Sequence, residues 1–204
     1  MIKTGPDAKF AAELIEFLAR FALSGGQSCG LTGAQWTAMR YFSRATRPSR
    51  TVTAFADYHV TTLGTASQTV KGLVEKRLLR RTRLLTDRRI VVIDLTSEGR
   101  SLCESKPLEK MVQAISELPE DQQSSLTTIL VSLTDSIAAD RQQRRFGLCS
   151  TCQYIGECMG PEDKEKHYFC SFTTEPLLFS DLNSICMDYK SGAKPQAFSQ
   201  IKLS

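Results

Sequence analysis

The stretch from Thr51 to Thr96 constrains this chain more than any other. "TVTAFADYHV" carries Val52, Phe55, Ala56 and Val60 at helical spacing, and "TTLGT" interrupts the pattern. "ASQTVKGLVEKRLL" then resumes it, with Ala66, Val70, Leu73, Val74 and Leu78 on one side and Ser67, Gln68, Thr69, Lys71 and Lys76 largely on the other. Gly64 is the expected position of a tight turn at positive φ. Two short helices joined at a turn, the second polar and basic on its free face, have the form of a helix-turn-helix. Directly downstream, "RRTRLL" and "IVVIDLT" are β-prone around the turn "TDRR", which predicts a basic hairpin in the position of a wing.

Charge follows this architecture. The formal net charge is only +4, yet residues 61–90 hold eight of the basic side chains (Lys71, Lys76, Arg77, Arg80, Arg81, Arg83, Arg88, Arg89) against two acidic ones, Glu75 and Asp87. A positive field concentrated in one segment points to a polyanion. Thr65, Ser67, Gln68 and Thr69 supply short hydrogen-bonding groups suited to base edges, and Lys71 supplies a cation for phosphate, all near one helix N-terminus. Taken singly, each of these fits a solvated helix face equally well. The ordered array of helix, turn, basic helix and basic hairpin favours double-stranded DNA as the partner.

The flanks read as helices that pair. Residues 8–23 place Phe10, Leu14, Ile15, Leu18, Phe21 and Ala22 on one stripe, and "SGGQSCG" ends it. "LTGAQWTAMRYFSRA" follows, with Thr32 and Gln35 at the spacing of a capping box, and Arg47, Pro48 and Ser49 close it. Helical periodicity resumes over 97–118. Beyond Pro119, Leu126, Leu130, Leu133 and Ile137 alternate spacings of four and three, the narrow seam of helix-to-helix packing. With helix 8–23 this seam offers a homodimer interface.

At 41% apolar and 24% charged residues the composition is that of a globular protein. No window approaches the roughly 20 apolar residues of a membrane span. Glu13, Glu16 and Arg20 interrupt the N-terminal apolar run, so no export signal is expected and the location expected is cytoplasmic. The fold class expected is mainly α with a small β wing. It comprises a winged helix-turn-helix with N- and C-terminal dimerisation helices over residues 1–145, plus a small metal-stapled module over residues 146–204.

"LTGAQWTAMRYF", "TVTAFADYHVTTLGTASQTVKGLVEKRLLRR" and "TDRRIVVIDLTSEG" resemble the successive signature blocks of the MarR family of winged helix-turn-helix transcription regulators, over roughly residues 8–145. The resemblance implies a dimeric, repressor-like sensor on a pseudopalindromic operator. Arg89 matches the family's minor-groove arginine and Asp87 its orienting carboxylate. A narrow A·T-rich groove would favour an inserted guanidinium, while the plainer alternative is an exposed ion pair. Arg80, Arg81, Arg83 and Arg88 are left to phosphates or solvent. The resemblance also implies a pocket for a small aromatic acid between the dimer helices and the DNA-binding lobe. Trp36, Met39, Arg40, Phe42 and Arg44 are candidates to line it, or else are core and surface residues.

From Phe146 onward cysteines, glycines and aromatics replace helical periodicity. The chain has seven cysteines, an odd count that suits no complete disulfide framework, and five of them follow the pattern Cys149-x2-Cys152-x5-Cys158-x11-Cys170-x15-Cys186. Cys-x-x-Cys lets two sulfurs point inward around one turn, and two further ligands must then arrive from distant segments. Zinc is commonly held by two such pairs, whereas single cysteines after one pair also suit an iron–sulfur cluster, so either metal centre is open. Thiols without metal are the plainer alternative, although a module this small usually needs a staple. Cys158 is the cysteine to leave out, because "GECMG" places it on an expected loop tip. His167, three residues before Cys170, is a possible substitute ligand. A subset of MarR-like proteins carries a similar C-terminal cysteine extension, and that resemblance favours Cys149, Cys152, Cys170 and Cys186. Cys29 and Cys103 read as small buried hydrophobes, and His59 as structural.

No nucleotide-binding glycine motif, Ser/His/Asp set or paired acids accompany the thiols, so the chain is not read as an enzyme. The expectation is a DNA-binding regulator whose cysteine centre senses redox state, oxygen or iron, or only staples the C-terminus. The alternative is a redox or electron-transfer protein in which a cluster does the chemistry and the winged helix mediates protein contact.

Overall fold

A computed structural model describes residues 7–24, 30–83, 90–104, 108–159 and 166–192. Helix α1 (Ala8–Ser24) starts where the Asp7 carboxylate accepts from the Phe10 amide at 2.8 Å. Helix α2 (Gly33–Arg44) opens on the anticipated capping box: the Gln35 amide donates to Thr32 Oγ1, and the Thr32 amide donates to Gln35 Oε1, each at 3.2 Å. Such a cap is worth about 0.5–2 kcal/mol to the helix. The 3-10 turn Arg47–Ser49 leads to α3 (Val52–Tyr58), capped by Thr51, and then to α4 (Leu63–Glu75), capped by Thr62.

The turn between α3 and α4 departs from the sequence-based expectation. Gly64 does not supply the positive φ; it is the second residue of α4, and the left-handed position is Val60, at φ 52°. The reason lies in two competing caps. Thr62 accepts from the Thr65 amide and so starts α4 earlier, and the Thr61 amide reaches back to the Ala56 carbonyl at 3.0 Å to close α3. The residue left at the junction is a β-branched valine, which tolerates that conformation poorly.

Strands β1 (Leu79–Arg83) and β2 (Val91–Leu95) pair antiparallel, with Leu79 opposite Leu95 and Arg83 opposite Val91. The tip of this hairpin, with Asp87, Arg88 and Arg89, lies outside the described residues, as does Cys29. The helical stretch after the wing resolves into α5 (Ser97–Glu104) and α6 (Glu109–Ser116), followed by α7 (Glu120–Asp140), which Pro119 precedes. Buried side chains of α2, α3, α4 and the wing form one core, built around Trp36, Met39, Phe42, Phe55, Leu73 and Ile93. By contrast α1 and α7 carry their apolar residues outward: Phe10, Leu14, Leu18 and Phe21 on α1, and Leu130, Leu133 and Ile137 on α7, are all exposed in the single chain. No described helix is long and apolar enough to cross a membrane.

The C-terminal segment is built from short strands and 3-10 turns. It runs β3 (Gly147–Leu148), the turn Cys149–Thr151, β4 (Ile155–Met159), β5 (Lys166–Cys170), β6 (Pro176–Leu177), the turn Phe179–Asn183 and β7 (Ile185–Cys186). β4, β5 and β6 form one antiparallel sheet, and β3 pairs with β7. This segment does not stand apart from the winged helix. Ile185 and Met187 are 5% and 3% exposed and belong to the lobe's own hydrophobic core.

Candidate nucleic-acid interface and cysteine cavity

Helix α4 buries Ala66, Val70 and Leu73 and turns the opposite side out. At about 100° per residue, Gly64, Gln68, Lys71 and Glu75 follow one another along that outward side, with Ser67 to one flank and Thr65 and Thr69 to the other. Thr65, Gln68 and Lys71 are exposed, and Ser67 and Thr69 half-buried. Their hydroxyls are locally engaged: Thr65 Oγ1 lies 2.9 Å from Thr62 Oγ1, and Thr69 Oγ1 donates to the Thr65 carbonyl at 3.0 Å. Lys71 sits 3.9 Å from Glu75, an exposed pair that a phosphate could readily displace. Arg80, Arg81 and Arg83 project from β1 into solvent beside this face. The five anticipated α4 residues therefore lie on one polar surface with the basic strand next to it.

Of the five candidate effector-pocket residues, Trp36, Met39 and Phe42 are core. Arg44 points away from that core, donating through Nη2 to the Asn183 carbonyl at 3.1 Å. Arg40 is half-buried, and burial lowers its pKa, against opposing contributions from Tyr58 and Cys103. Its Nη1 atom, Trp36 Nε1 and Thr37 Oγ1 are buried without a hydrogen-bond partner within the described chain. His59 stacks on Phe55 with ring centroids 5.4 Å apart, and burial lowers its pKa, in keeping with a structural role.

A cavity of about 510 Å³ lies where the C-terminal segment meets the turn after α2, and Cys149, Cys152, Cys170 and Cys186 all line it. Local structure explains the convergence. The Cys149–Thr151 turn is closed by the Cys152 amide donating to the Cys149 carbonyl at 3.1 Å, which brings the Cys-x-x-Cys pair together. Pairing of β4 with β5 sets Cys170 opposite Ile155, just beyond Cys152, and pairing of β3 with β7 sets Cys186 opposite Gly147, just before Cys149. Burial pushes the Cys149 thiol up to about 12, and Cys186, Cys170, Cys152 and Asp181 add to the shift. Burial likewise raises Cys186, while hydrogen bonds from the Asp188 backbone and the Thr46 and Ser49 side chains lower it. Among the described residues, no group of three or more His, Cys, Asp or Glu is arranged to hold a single metal ion.

Cys158 lies elsewhere, and not on a loop tip as expected. It is a residue of β4, directly opposite His167 on β5, and neither lines the cavity. Pairing of all five residues of β4 with β5 carries the strand through it. Cys103 is half-buried against the lobe's core, and all six described cysteines carry free thiols.

The other cavity walls went unnoticed in the sequence. Thr46, Arg47, Pro48 and Arg50 come from the segment joining α2 to α3. Arg50 is fixed there by Nε donating to the Ala45 carbonyl at 2.9 Å and by an ion pair with Asp94 of β2 at 3.1 Å. The segment is joined to β7 and the residue after it by a backbone bridge between Ala45 and Ile185, by the Thr46 amide donating to the Ile185 carbonyl at 2.8 Å, and by the Met187 amide donating to the Ser49 side-chain Oγ at 3.0 Å. Arg144 adds a clamp by pairing with both Asp57 of α3 and Asp188. Only the Arg-Pro-Ser helix stop was visible as a signal, and it carries no sign of a partner.

A helix-turn-helix with an outward polar second helix, followed by a two-stranded basic hairpin on the same core, defines a winged helix-turn-helix protein. Residues 30–90 match the sequence profile of the MarR family. No curated protein matches the sequence. Solved structures share the fold. They include the Staphylococcus aureus MepR–DNA complex, at 21% identity and TM-score 0.53, covering 65% of this chain and 99% of that one. A MarR/EmrR family transcriptional regulator from Acinetobacter sp. ADP1 matches at 22% identity and TM-score 0.53, covering 64% and 96%. CouR from Rhodococcus jostii RHA1 bound to p-coumaroyl-CoA matches at 19% identity and TM-score 0.52, covering 62% and 91%. The profile match ends at residue 90, well before the four cysteines of the cavity.

Proposed function

We propose that this chain is a dimeric DNA-binding transcription regulator that reads an operator through α4 and the wing, and that its C-terminal cysteines form a metal centre. The observation that carries the first part is the outward face of α4: Thr65, Ser67, Gln68, Thr69 and Lys71 share one polar surface beside the arginines of β1. Short polar groups there suit base edges in the major groove, and the cations suit phosphates. The wing residues Asp87, Arg88 and Arg89 would extend the contact to the adjacent groove and backbone. The DNA complex of MepR, which has the same fold, supports this use of the surface.

The outward apolar faces of α1 and α7 are the surfaces a second copy of the chain would cover, and a pair of recognition helices would suit a pseudopalindromic operator. Repression follows if the bound dimer blocks transcription. Unpaired Arg40 Nη1 would suit the carboxylate of a small aromatic effector. The four cavity cysteines would ligate zinc or an iron–sulfur cluster, as a staple or as a sensor.

Selection of duplexes from a randomised pool, followed by titration at several salt concentrations, tests the central claim. An enriched sequence is expected, with affinity falling linearly in log–log form as salt rises. Gln68→Ala should cost about 1–3 kcal/mol and relax preference at one position, and Arg89→Ala should weaken binding and flatten the salt slope. No enrichment, or binding that ignores both substitutions, would refute the reading.

A further inference from the structure

We infer that the cysteine cavity takes an iron–sulfur cluster rather than a single zinc ion, and that its occupancy controls DNA affinity through β7. The inference rests on the cysteine-ligated metal centre proposed above and names its ligand and its consequence.

Size and arrangement favour the cluster. A tetrahedral ion needs its sulfurs converging at about 2.3 Å on one point. Here four cysteines from three separate segments stand around a cavity of about 510 Å³, more room than one ion fills. A cluster asks for a different geometry, because each thiolate bonds its own iron at the edge of an inorganic core. Four soft thiols select an iron–sulfur core over a hard, oxygen-seeking cation. Two of the cavity's carboxylates are already engaged: Asp181 accepts from the Leu178 amide at 2.9 Å, and Asp188 pairs with Arg144. Tyr154, Ile155, Phe172 and Leu177 add apolar surface to the cavity's lining.

The coupling follows from where the fourth ligand sits. Cys149 and Cys152 occupy one turn, Cys170 ends β5 and Cys186 ends β7, so a cluster would cross-link three separate segments. The β7 segment is the one bonded to the winged helix, through Ala45, Thr46 and Ser49. Residues 45–49 lead directly into α3, which packs on α4. Filling the cavity fixes β7 against the turn and thereby fixes α3 and α4, whereas emptying it releases them, biasing the DNA-competent arrangement. Thr46 and Ser49 are positioning residues in this scheme.

Loading is a ligand exchange without net electron transfer. Each protein thiol replaces one small thiolate on an iron of a preformed cluster, forming one Fe–S bond as one breaks, and its proton leaves on the departing thiol. The test uses the full-length chain under anaerobic conditions, with a synthetic four-iron cluster ligated by small thiolates as the probe. Expected are iron and sulfide bound in equal amounts and a broad visible thiolate-to-iron absorption. Cys149→Ser, Cys152→Ser, Cys170→Ser and Cys186→Ser should each lower retention, with Cys158→Ser matching the parent. Stoichiometric zinc uptake with no cluster uptake overturns the cluster assignment and leaves DNA binding intact.

For the coupling, DNA is selected in parallel by the cluster-loaded and cluster-free chains. Affinities should differ about tenfold or more between the two states. Ser49→Ala removes a hydrogen bond to Cys186 as well as the link to Met187, so it is compared with the parent at equal measured cluster content, where it should lose most of that difference. Equal affinities in the two states overturn the coupling. Cluster uptake by a chain that selects no duplex in either state overturns the DNA-binding reading together with the coupling, and the cluster assignment then stands by itself.

Discussion

Replacing Ser49 by alanine should loosen the C-terminal segment from the winged helix without unfolding the helix lobe. Ser49 is 1% exposed, its Oγ accepts from the Met187 amide at 3.0 Å, and it also accepts from Thr46 Oγ1 at 3.0 Å. In the alanine variant the buried Met187 amide has no partner, a cost of about 1–3 kcal/mol. The Thr46 hydroxyl is half-buried and can turn to another acceptor, so it adds little. Docking should nevertheless survive, because burial of Ile185 and Met187 contributes on the order of 1.5–3 kcal/mol for each side chain. The appropriate readout is amide exchange at Thr46, whose N–H donates to the Ile185 carbonyl across the seam at 2.8 Å and keeps its own partner in the variant. If that amide exchanges by opening of the seam, its rate should rise roughly 5- to 150-fold. Trp36, the one tryptophan of the chain, is fully buried in the lobe, so its fluorescence on denaturant unfolding reports the lobe separately. Thr46 exchange unchanged within about twofold, or a lobe destabilised as much as the seam, would refute this account.

Val60→Gly should stabilise the chain by about 1 kcal/mol, against the usual effect of introducing glycine, because φ 52° is strained for a β-branched residue; a lower denaturation midpoint would show that the turn is unstrained. Gly156→Ala should destabilise the C-terminal segment by about 1–3 kcal/mol, since a Cβ there would overlap the Phe169 ring, and amide exchange over β4 and β5 would report it. Burial lowers the His59 pKa, so below the unfolded value of about 6.5 the unfolded chain binds the extra proton. The contribution is therefore present above that pH and lost as pH falls, and His59→Gln should show a shallower loss of stability on acidification; parallel curves would exclude it. Ile137→Glu should convert dimers to monomers in sedimentation, because the residue is 56% exposed on the outward face of α7 in the single chain; an unchanged dimer would remove that face from the interface.

The sequence made the winged helix legible because its signals are local. Thr32 and Gln35 declare a capping box within four residues, Ala66, Val70 and Leu73 mark a buried stripe, and the β-prone segments flanking "TDRR" pair antiparallel as a hairpin. The turn was misread at Gly64 because glycine is only the usual occupant of a left-handed position. Two threonine caps, acting from either side, placed Val60 there instead. The cysteine quartet was also legible, although for Cys158 the reason lay in strand pairing with His167 rather than in a loop. What no local pattern announced was the seam. Arg47-Pro48-Ser49 reads as a helix stop, and "NSICMDY" reads as a cysteine beside aromatics. Nothing in either segment declares that a serine in one will accept the amide of a methionine in the other, 138 residues away. That pairing depends on a backbone donor, which every residue but proline carries, so side-chain identity leaves no trace of it. The same bond nevertheless turns two separately legible features, a helix-turn-helix pair and a thiol cavity, into one connected body, and the physical case for the proposed regulation therefore rests on Ser49 as much as on any cysteine.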